Sequence, residues 1–167
     1  MVSDSERVID VVVSAGLFSA SETAPVKGMF AAYFAGSEAQ GHQAVVDVDA
    51  GELVGVAYYQ PKPATYGVWD LTMLAVRDAR QGAGRGTVLL DWVEDDVRRR
   101  DGRLLLIETS SSAAQDRARR LYARAGYEEA VRIADYWEPC DDLVLFVKRL
   151  SWRGRTPSTL DQKGVAS

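Results

Sequence analysis

The feature that most constrains the fold is a glycine-rich turn in the middle of the chain, at Gly82, Gly84 and Gly86. It follows a strand-like run at residues 66–76 and precedes residues 84–100, where apolar side chains repeat at helical spacing. Residues 104–107 then form an uninterrupted apolar segment, typical of a strand buried on both faces. The order strand, turn, helix, strand predicts a parallel β-α-β unit at the centre of a mixed α/β fold.

Further elements surround this unit. One face of the strand before the turn is expected to carry Trp69, Leu71, Met73 and Ala75. Two short β-branched runs, at residues 43–48 and 53–59, flank a turn at residues 49–52 and predict a β-hairpin. Periodicity predicts helices at residues 5–16, 19–35 and 114–125, the last ending at Gly126, and strands at 127–134 and 142–149. Together these elements predict a twisted mixed sheet with helices on both faces.

The composition fits one compact domain. The chain has 167 residues, 47% of them hydrophobic, and we assign residues 1–150 to a single domain. Residues 151–167 lack periodicity and are rich in small, polar and basic residues, so we expect a flexible tail. The N-terminus lacks a signal-peptide pattern and no stretch is long enough to span a bilayer, which favours a soluble, cytoplasmic protein that does not bind membranes.

Charge and residue counts disfavour several classes of function. The net charge of -4 argues against a nucleic-acid partner, which needs a basic face. The single cysteine, Cys140, cannot form an internal disulfide, and with a single histidine, His42, we expect no metal site. Neither residue has a recognisable partner at catalytic spacing, so we interpret both as incidental.

The glycine-rich turn is suited to binding a pyrophosphate. A strand-to-helix turn directs unpaired backbone N–H groups at one point, and the partial positive charge of the helix N-terminus adds to them. Side chains at the three glycine positions would block close approach. The turn lacks the Gly-Lys-Ser/Thr ending of a nucleoside-triphosphate loop and the Gly-x-Gly-x-x-Gly spacing of a dinucleotide site. An ordinary glycine-rich turn without a ligand is the alternative.

Two motifs together resemble the GNAT superfamily of N-acetyltransferases. The first signature of that superfamily, Gln/Arg-x-x-Gly-x-Gly/Ala, is matched by Gln81, Gly84 and Gly86. The second, Ala-x-x-Leu-Tyr-x-x-x-Gly-Phe/Tyr, is matched by residues 118–127. Members often carry an asparagine three residues before that motif, where this chain has Gln115. The resemblance runs from about residue 53 to about residue 150 and implies a GNAT-like fold.

The resemblance also implies a site for acetyl-CoA. Coenzyme A would be held by Leu74, Ala75, Val76, Gln81, Gly82, Ala83, Gly84, Arg85, Gly86, Thr87 and Gln115. Superfamily members splay the strand before the turn from the strand that follows the helix, so that its backbone can hydrogen-bond pantetheine. The Val76 N–H would then donate to the thioester oxygen and stabilise the oxyanion.

Tyr122 of the second signature is implied to be the general acid that protonates the coenzyme A thiolate. A phenol with a pKa of about 10 suits a thiolate whose conjugate acid has a pKa of about 8.5. The alternative for Tyr122 is a core aromatic residue packed beside Leu121.

A base must accept a proton from the acceptor, because an alkylamine with a pKa of about 10.4 is neutral to less than about one part in a thousand at pH 7. Asp70 precedes Gln81 by eleven residues, which matches the glutamate base of the histone-acetylating branch of the superfamily. Glu108, at the end of the apolar strand, is the rival. The alternatives are an Asp70 held by backbone N–H groups and a Glu108 paired with an arginine.

Residues 135–142 are expected to form a loop between the last two strands, with four carboxylates and two aromatic rings. Such a loop could attract a cation, with a cation–π contribution of about 0.5 to 2 kcal/mol, although a solvated acidic turn is the alternative. Aromatic residues of the second helix, Phe30, Tyr33 and Phe34, have the spacing of a packed core stripe.

The sequence therefore predicts an acetyl-CoA-dependent N-acyltransferase. It would act on a small-molecule or peptide amine of cationic character, without a metal, and a homodimer is left open. A catalytically weak acyl-CoA-binding sensor or regulatory module is the alternative, and a nucleotide-binding domain is a third hypothesis.

Overall fold

A computed structural model describes residues 4–16, 40–150 and six isolated positions between them: Ala24, Lys27, Gly28, Phe30, Tyr33 and Gly36. Most of the helix expected at residues 19–35, and the whole tail at 151–167, lie outside the described residues. The described helices and strands, in chain order, are α1 (Asp4–Ser14), β1 (Gln43–Asp49), β2 (Glu52–Pro61), β3 (Val68–Val76), α2 (Arg85–Arg99), β4 (Leu104–Ser110), α3 (Asp116–Arg124), β5 (Glu128–Glu138) and β6 (Asp141–Arg149). Short 3-10 turns at Asp78–Arg80 and Ala113–Gln115 precede α2 and α3.

The strands form one six-stranded mixed sheet in the order β1-β2-β3-β4-β6-β5. Only β3 and β4 are parallel, and α2 connects them, which confirms the predicted β-α-β unit. Apolar residues of α1 pack on one face of the sheet, whereas α2 and α3 pack on the other. None of the described helices is long and apolar enough to cross a bilayer. The expected cytoplasmic location stays a prediction.

The expected hairpin is confirmed as β1 and β2. Its two central turn residues, Ala50 and Gly51, have φ of 50° and 83°, the left-handed values that a two-residue hairpin turn requires. Residues 53–59 are all buried, because α1 covers one face of β2 and α2 covers the other. The strand buried on both faces is therefore β2.

The sequence predicted that residues 104–107, which lie in β4, form a strand buried on both faces, and this prediction is wrong. Leu105, Ile107 and Thr109 are buried, while Leu104 and Leu106 are half-buried and Glu108 is exposed. The physical reason is that α1 packs against β2 and β3, so it covers the second face of those strands rather than that of β4.

The expectation that β3 carries its apolar side chains on one face is also wrong. Tyr58 pairs with Met73 and Tyr59 pairs with Leu71, so Thr72 is an extra residue in β3. A bulge of this kind reverses the side-chain alternation beyond it. Consequently Trp69 and Leu71 pack with α2 and α3, whereas Met73 and Ala75 pack with α1.

The parallel pairing of β3 and β4 is short. It joins residues 68–70 to residues 104–106 and ends at the pair Asp70 and Leu106. Beyond that pair the two strands separate, which opens a gap between residues 71–76 of β3 and the end of β4. This is the splay that the resemblance implies.

The expected loop at residues 135–142 is mostly strand. β5 continues to Glu138, which pairs with Asp141, and only Pro139 and Cys140 form the turn, with Cys140 at φ 68°. The Asp135 carboxylate supports this turn by accepting a hydrogen bond from the Cys140 N–H at 2.7 Å. All eleven residues of β5 are exposed.

Candidate active site

A cavity of about 330 Å³ lies between the end of β3, the glycine-rich turn and α3. The end of α1 contributes Ala15 and Gly16 to its wall, and Tyr122 of α3 lines it as well. Nine of the eleven residues expected to bind the cofactor line this cavity, namely Leu74, Ala75, Val76, Gln81, Gly82, Gly84, Gly86, Thr87 and Gln115. The fold thus brings together residues that lie up to 41 positions apart in the sequence, from Leu74 to Gln115.

The three glycines of the turn serve different purposes. Gly82 and Gly84 have φ of 81° and 80°, a left-handed conformation that other residues adopt only with strain. Gly86 is needed for packing instead, since a Cβ there would lie 3.2 Å from the Leu121 side chain. Because Gly84 caps α2, the free N–H groups of the first turn of that helix begin beside the cavity, where an anion is favoured.

The backbone of β3 has two peptide groups turned into the gap. The Arg77 N–H donates to the Val54 carbonyl of β2 at 2.9 Å, and hydrogen bonding along an antiparallel pair alternates. The peptide groups of Ala75 therefore face β2, whereas those of Leu74 and Val76 face the gap. Of the three residues expected to contact pantetheine through the backbone, these two make no backbone hydrogen bonds to β2.

Tyr122 lies at the inner wall of the cavity and is only 6% exposed. Its ring packs against Phe146 and Tyr127, with centroids 5.6 Å and 6.1 Å away. Burial raises the pKa of Tyr122 to about 12, so the phenol keeps its proton at neutral pH. Tyr122 is thus a core aromatic residue that also lines the cavity.

The two carboxylate candidates lie near the point where the gap closes. Asp70 is in the last pair that joins β3 to β4, and its carboxylate binds the ammonium of Lys62 at 3.0 and 3.3 Å, rather than backbone N–H groups. Glu108 lies two residues beyond Leu106, which is the partner of Asp70, and is exposed. Parallel register and strand alternation place both side chains on the same face of the sheet, opposite to α2 and α3. Neither residue lines the cavity.

Comparison with known proteins decides the family. Residues 15–127 match the model of the acetyltransferase (GNAT) family. The chain belongs to the GNAT acetyltransferase family. A protein from Desulfovibrio desulfuricans that is assigned to the GNAT family has a similar structure, with a TM-score of 0.84 and 32% identity over 90% of this chain and 96% of that one.

More distant structures share the GNAT fold. An aminoglycoside 6'-N-acetyltransferase complexed with coenzyme A has a TM-score of 0.70 at 19% identity, over 90% of this chain and 93% of that one. The ribosomal-protein-S18-alanine N-acetyltransferase of Escherichia coli has a TM-score of 0.69 at 20% identity, over 91% and 92%. No curated protein sequence is significantly similar to this GNAT chain.

The arginines around the turn do not face the cavity of this GNAT domain. Arg85 binds Asp47 and Asp49 of the first hairpin at 2.8 and 2.7 Å, and the hydrogen bond to Asp47 raises the pKa of Arg85. Arg80 likewise contacts Asp49, at 3.2 Å. Ala83 and Arg85, both expected to bind the cofactor, are absent from the cavity wall, so their side chains are directed elsewhere.

Two arginines that sequence reasoning missed do line the cavity, Arg117 and Arg124 of α3. They belong to the second signature segment and its N-terminal flank, but neither occupies a signature position. In the sequence, only the presence of arginine at these two positions could have pointed to the cavity. The same arginines are equally typical of the solvent-exposed face of an arginine-rich helix. The fold places their positive charge on the part of the cavity wall that α3 forms.

The acidic and aromatic residues of the last hairpin are largely engaged with one another. Asp141 accepts hydrogen bonds from the hydroxyls of Ser110 and Ser111. These bonds lower the pKa of Asp141, and the bond from Ser110 has the largest effect. Asp142 contacts Arg132 at 3.3 Å. The Trp137 indole N–H lies 3.5 Å from the Thr109 carbonyl, beside Glu108. The hairpin thus presents Glu138 and two exposed rings, Tyr136 and Trp137.

An aromatic cluster covers the α1 face of β2. Phe30 and Tyr33 make edge contacts with Tyr58 at 5.5 and 6.0 Å, which confirms the core packing expected of them. Phe34 lies outside the described residues. His42, which has no recognisable partner at catalytic spacing in the sequence, hydrogen-bonds the Tyr58 hydroxyl at 2.7 Å.

Proposed function

We propose that this GNAT protein transfers an acetyl group from acetyl-CoA to a primary amine, by direct attack in a ternary complex. One observation carries the proposal: the end of β3, the glycine-rich turn and the buried Tyr122 all border a single cavity. Each part meets one requirement of thioester aminolysis. The turn would anchor the pyrophosphate, the end of β3 would bind the extended pantetheine, and Tyr122 would donate a proton to the thiolate.

The binding step follows from backbone geometry. The turn at Gly82 and Gly84, with the first turn of α2 behind it, offers N–H groups and a helix dipole to the pyrophosphate. Arg117 and Arg124 add positive charge from α3. The N–H groups of Leu74 and Val76, which face the gap, then hydrogen-bond the pantetheine arm and direct the acyl end towards the closed end of the gap at Asp70.

The chemical step needs charge stabilised at two atoms. As the amine attacks, the thioester oxygen gains negative charge, and the N–H of Val76 or of Leu74 donates to it. As the carbon–sulfur bond breaks, the electron pair leaves on sulfur and Tyr122 donates its proton there. The raised pKa of Tyr122 keeps the phenol protonated, so its O–H is available as a hydrogen-bond and proton donor to the departing sulfur.

The amine must also lose a proton. Asp70 is the first candidate for the base, because it lies at the closed end of the gap where the acyl group would point. Glu108 is the second, on the same face and exposed to solvent. Use of Asp70 requires that the Lys62 ammonium leave it. The exposed Tyr136 and Trp137, with Glu138, favour an acceptor of cationic character.

The test is to replace Tyr122 by Phe and to follow free-thiol release from acetyl-CoA with a panel of amines. We expect kcat to fall by about 10²- to 10⁴-fold, with the affinity for acetyl-CoA unchanged. Tyr127→Phe is the matched control, since it removes a hydroxyl that is buried without a hydrogen-bond partner among the described residues. Comparison of Asp70→Asn with Glu108→Gln then identifies the base.

Two outcomes would count against the proposal. If the unaltered protein binds acetyl-CoA but turns over none of the amines, the sensor or regulatory module becomes the better account. If Tyr122→Phe and Tyr127→Phe reduce kcat equally, Tyr122 is not the acid.

A further inference from the structure

The backbone and the side chain of Lys62 are both held by hydrogen bonds. Its backbone N–H donates to the Val68 carbonyl at 2.8 Å, and its carbonyl accepts a hydrogen bond from the Thr65 hydroxyl at 2.7 Å. Prolines on both sides, Pro61 and Pro63, fix the backbone further. The side chain is therefore presented from a rigid base, with its ammonium on both oxygens of the Asp70 carboxylate.

This ammonium lies at the end of the gap towards which the acyl group would point. Asp70 and Leu106 close the gap, and three residues of β3, one of them the bulged Thr72, separate Asp70 from Leu74. The free N–H of Leu74 is one of the two candidate partners of the thioester. The ε-amine of Lys62 thus lies beside the candidate base, in the region that an acceptor amine must enter.

We propose that Lys62 is an internal acceptor, acetylated on Nζ by acetyl-CoA bound in the same chain. This inference rests on the proposed function and extends it to a modification site. Once acetylated, Lys62 carries no charge, so it no longer pairs with Asp70. The Asp70 carboxylate is then released for the ammonium of an external amine.

The step balances as an ordinary aminolysis. The Lys62 ammonium gives one proton to the Asp70 carboxylate, and the freed lone pair forms a carbon–nitrogen bond to the acetyl carbonyl carbon. The carbon–sulfur bond breaks, and the sulfur takes the electron pair and the Tyr122 proton. The products are an amide on Lys62 and free coenzyme A. The Asp70 proton and the Tyr122 phenolate then exchange with solvent, and no oxidant or further reactant is needed.

The chain offers internal controls, because it has only three other lysines: Lys27, Lys148 and Lys163. Lys148 is the best matched, since it too is ion-paired, with Glu94 at 2.7 Å. It lies on the α2 face and its ammonium is committed to the Ala125 carbonyl as well, at 2.7 Å. Lys27 is exposed and reports the rate of uncatalysed acetylation.

The experiment incubates the purified chain with acetyl-CoA and no amine, then quantifies acetylation of each lysine by peptide mass spectrometry over time. We expect Lys62 to be acetylated at least about tenfold faster than Lys27 or Lys148, as proximity within one chain would cause. The rate constant should not depend on protein concentration. Tyr122→Phe should slow Lys62 acetylation by about 10²-fold or more, and Lys62→Arg, which keeps a cation on Asp70, should abolish it.

Lys62 acetylation no faster than that of Lys27, or undiminished in Tyr122→Phe, would overturn the inference. The two proposals fail in different ways. If added amines are acetylated while Lys62 stays unmodified, only the internal acceptor is wrong. If titration shows no acetyl-CoA binding, the proposed function fails and the internal acceptor fails with it.

Discussion

Arg117 of α3 donates a hydrogen bond to the side-chain oxygen of Gln81, and the Gln81 side-chain amide in turn donates to the Val76 carbonyl at 2.9 Å. One side chain therefore joins the end of β3 to α3 across the mouth of the cavity. It also fixes the entrance to the glycine-rich turn. Gln81 is the first residue of the first signature, and this cross-link gives a physical reason for a long hydrogen-bonding side chain there.

Replacement of Gln81 by Met removes both hydrogen bonds and keeps the length of the side chain. We expect acetyl-CoA affinity to fall by about five- to tenfold, because a net hydrogen bond contributes about 1 kcal/mol and the turn is no longer held in place. Isothermal titration measures it. Gln43→Met is the matched control, since Gln43 also makes two hydrogen bonds, to Arg100 and Gly41, away from the cavity. Unchanged or tighter binding in Gln81→Met would show that the cross-link does not preorganise the site.

Gly84→Ala should destabilise the fold. Its left-handed φ of 80° costs an L-residue about 1 kcal/mol or more, and urea denaturation should show a loss of that size. Gly28→Ala is the control, because Gly28 is helical without a left-handed φ and a Cβ there meets nothing within 4 Å, so stability should rise slightly. Equal effects in the two variants would contradict a conformational role for Gly84.

The parts of the fold that sequence predicted correctly depend on local patterns. The glycine-rich turn, the first hairpin and the end of α3 at Gly126, with φ 84°, each follow from residues close together in the chain. The parts that were missed depend on contacts between distant segments. Thr72 forms a bulge because of how β3 pairs with β2, and a threonine in a strand does not by itself predict a bulge.

Glu94 of α2 is a second residue whose environment could not be predicted from local sequence. Glu94 is followed directly by Asp95 and Asp96, and carboxylates in such a stretch are ordinarily exposed, yet Glu94 is only 3% exposed. Lys148 of β6 and Arg98 neutralise it, at 2.7 and 2.9 Å. The site was predictable where motifs specify it, in the turn and at Tyr122. Arg117, Arg124 and the pairing of Asp70 with Lys62 required the three-dimensional arrangement.

The buried pair of Glu94 and Lys148 supports a stability prediction. Lys148→Met leaves the Glu94 carboxylate buried with Arg98 as its remaining cation, and we expect a loss of about 1.5 to 3 kcal/mol in the free energy of unfolding. Glu94→Leu combined with Lys148→Met should recover most of it, because Arg98 keeps its contact with Asp95 at 2.7 Å. A double variant as unstable as Lys148→Met alone would contradict this reading of the pair.

Stability should fall steeply above pH 10. Burial raises the pKa of Tyr122 to about 12, and burial together with nearby carboxylates raises the pKa of Tyr59 and Tyr127 further. The unfolded chain loses these protons near pH 10 while the folded chain keeps them, so the unfolded state binds fewer protons and the free energy of unfolding decreases as pH rises.

Each such phenol contributes about 1.4 kcal/mol per pH unit to this decrease. Urea denaturation at pH 9, 10 and 11 measures the slope, and Tyr122→Phe isolates one phenol. The variant should lose stability less steeply than the unaltered protein, by about that amount per pH unit between pH 10 and 12. Parallel slopes would mean that Tyr122 titrates normally and is not buried as described.

The most direct test of the account is isothermal titration of the purified chain with acetyl-CoA, with ATP and NAD titrated in parallel at the same ionic strength. We predict micromolar binding of acetyl-CoA, a free energy of about -8 kcal/mol, and no comparable binding of ATP or NAD. Binding of ATP or NAD without acetyl-CoA would contradict the assignment of the glycine-rich turn to coenzyme A. The roles proposed for Tyr122, Asp70 and Lys62 would then be wrong as well.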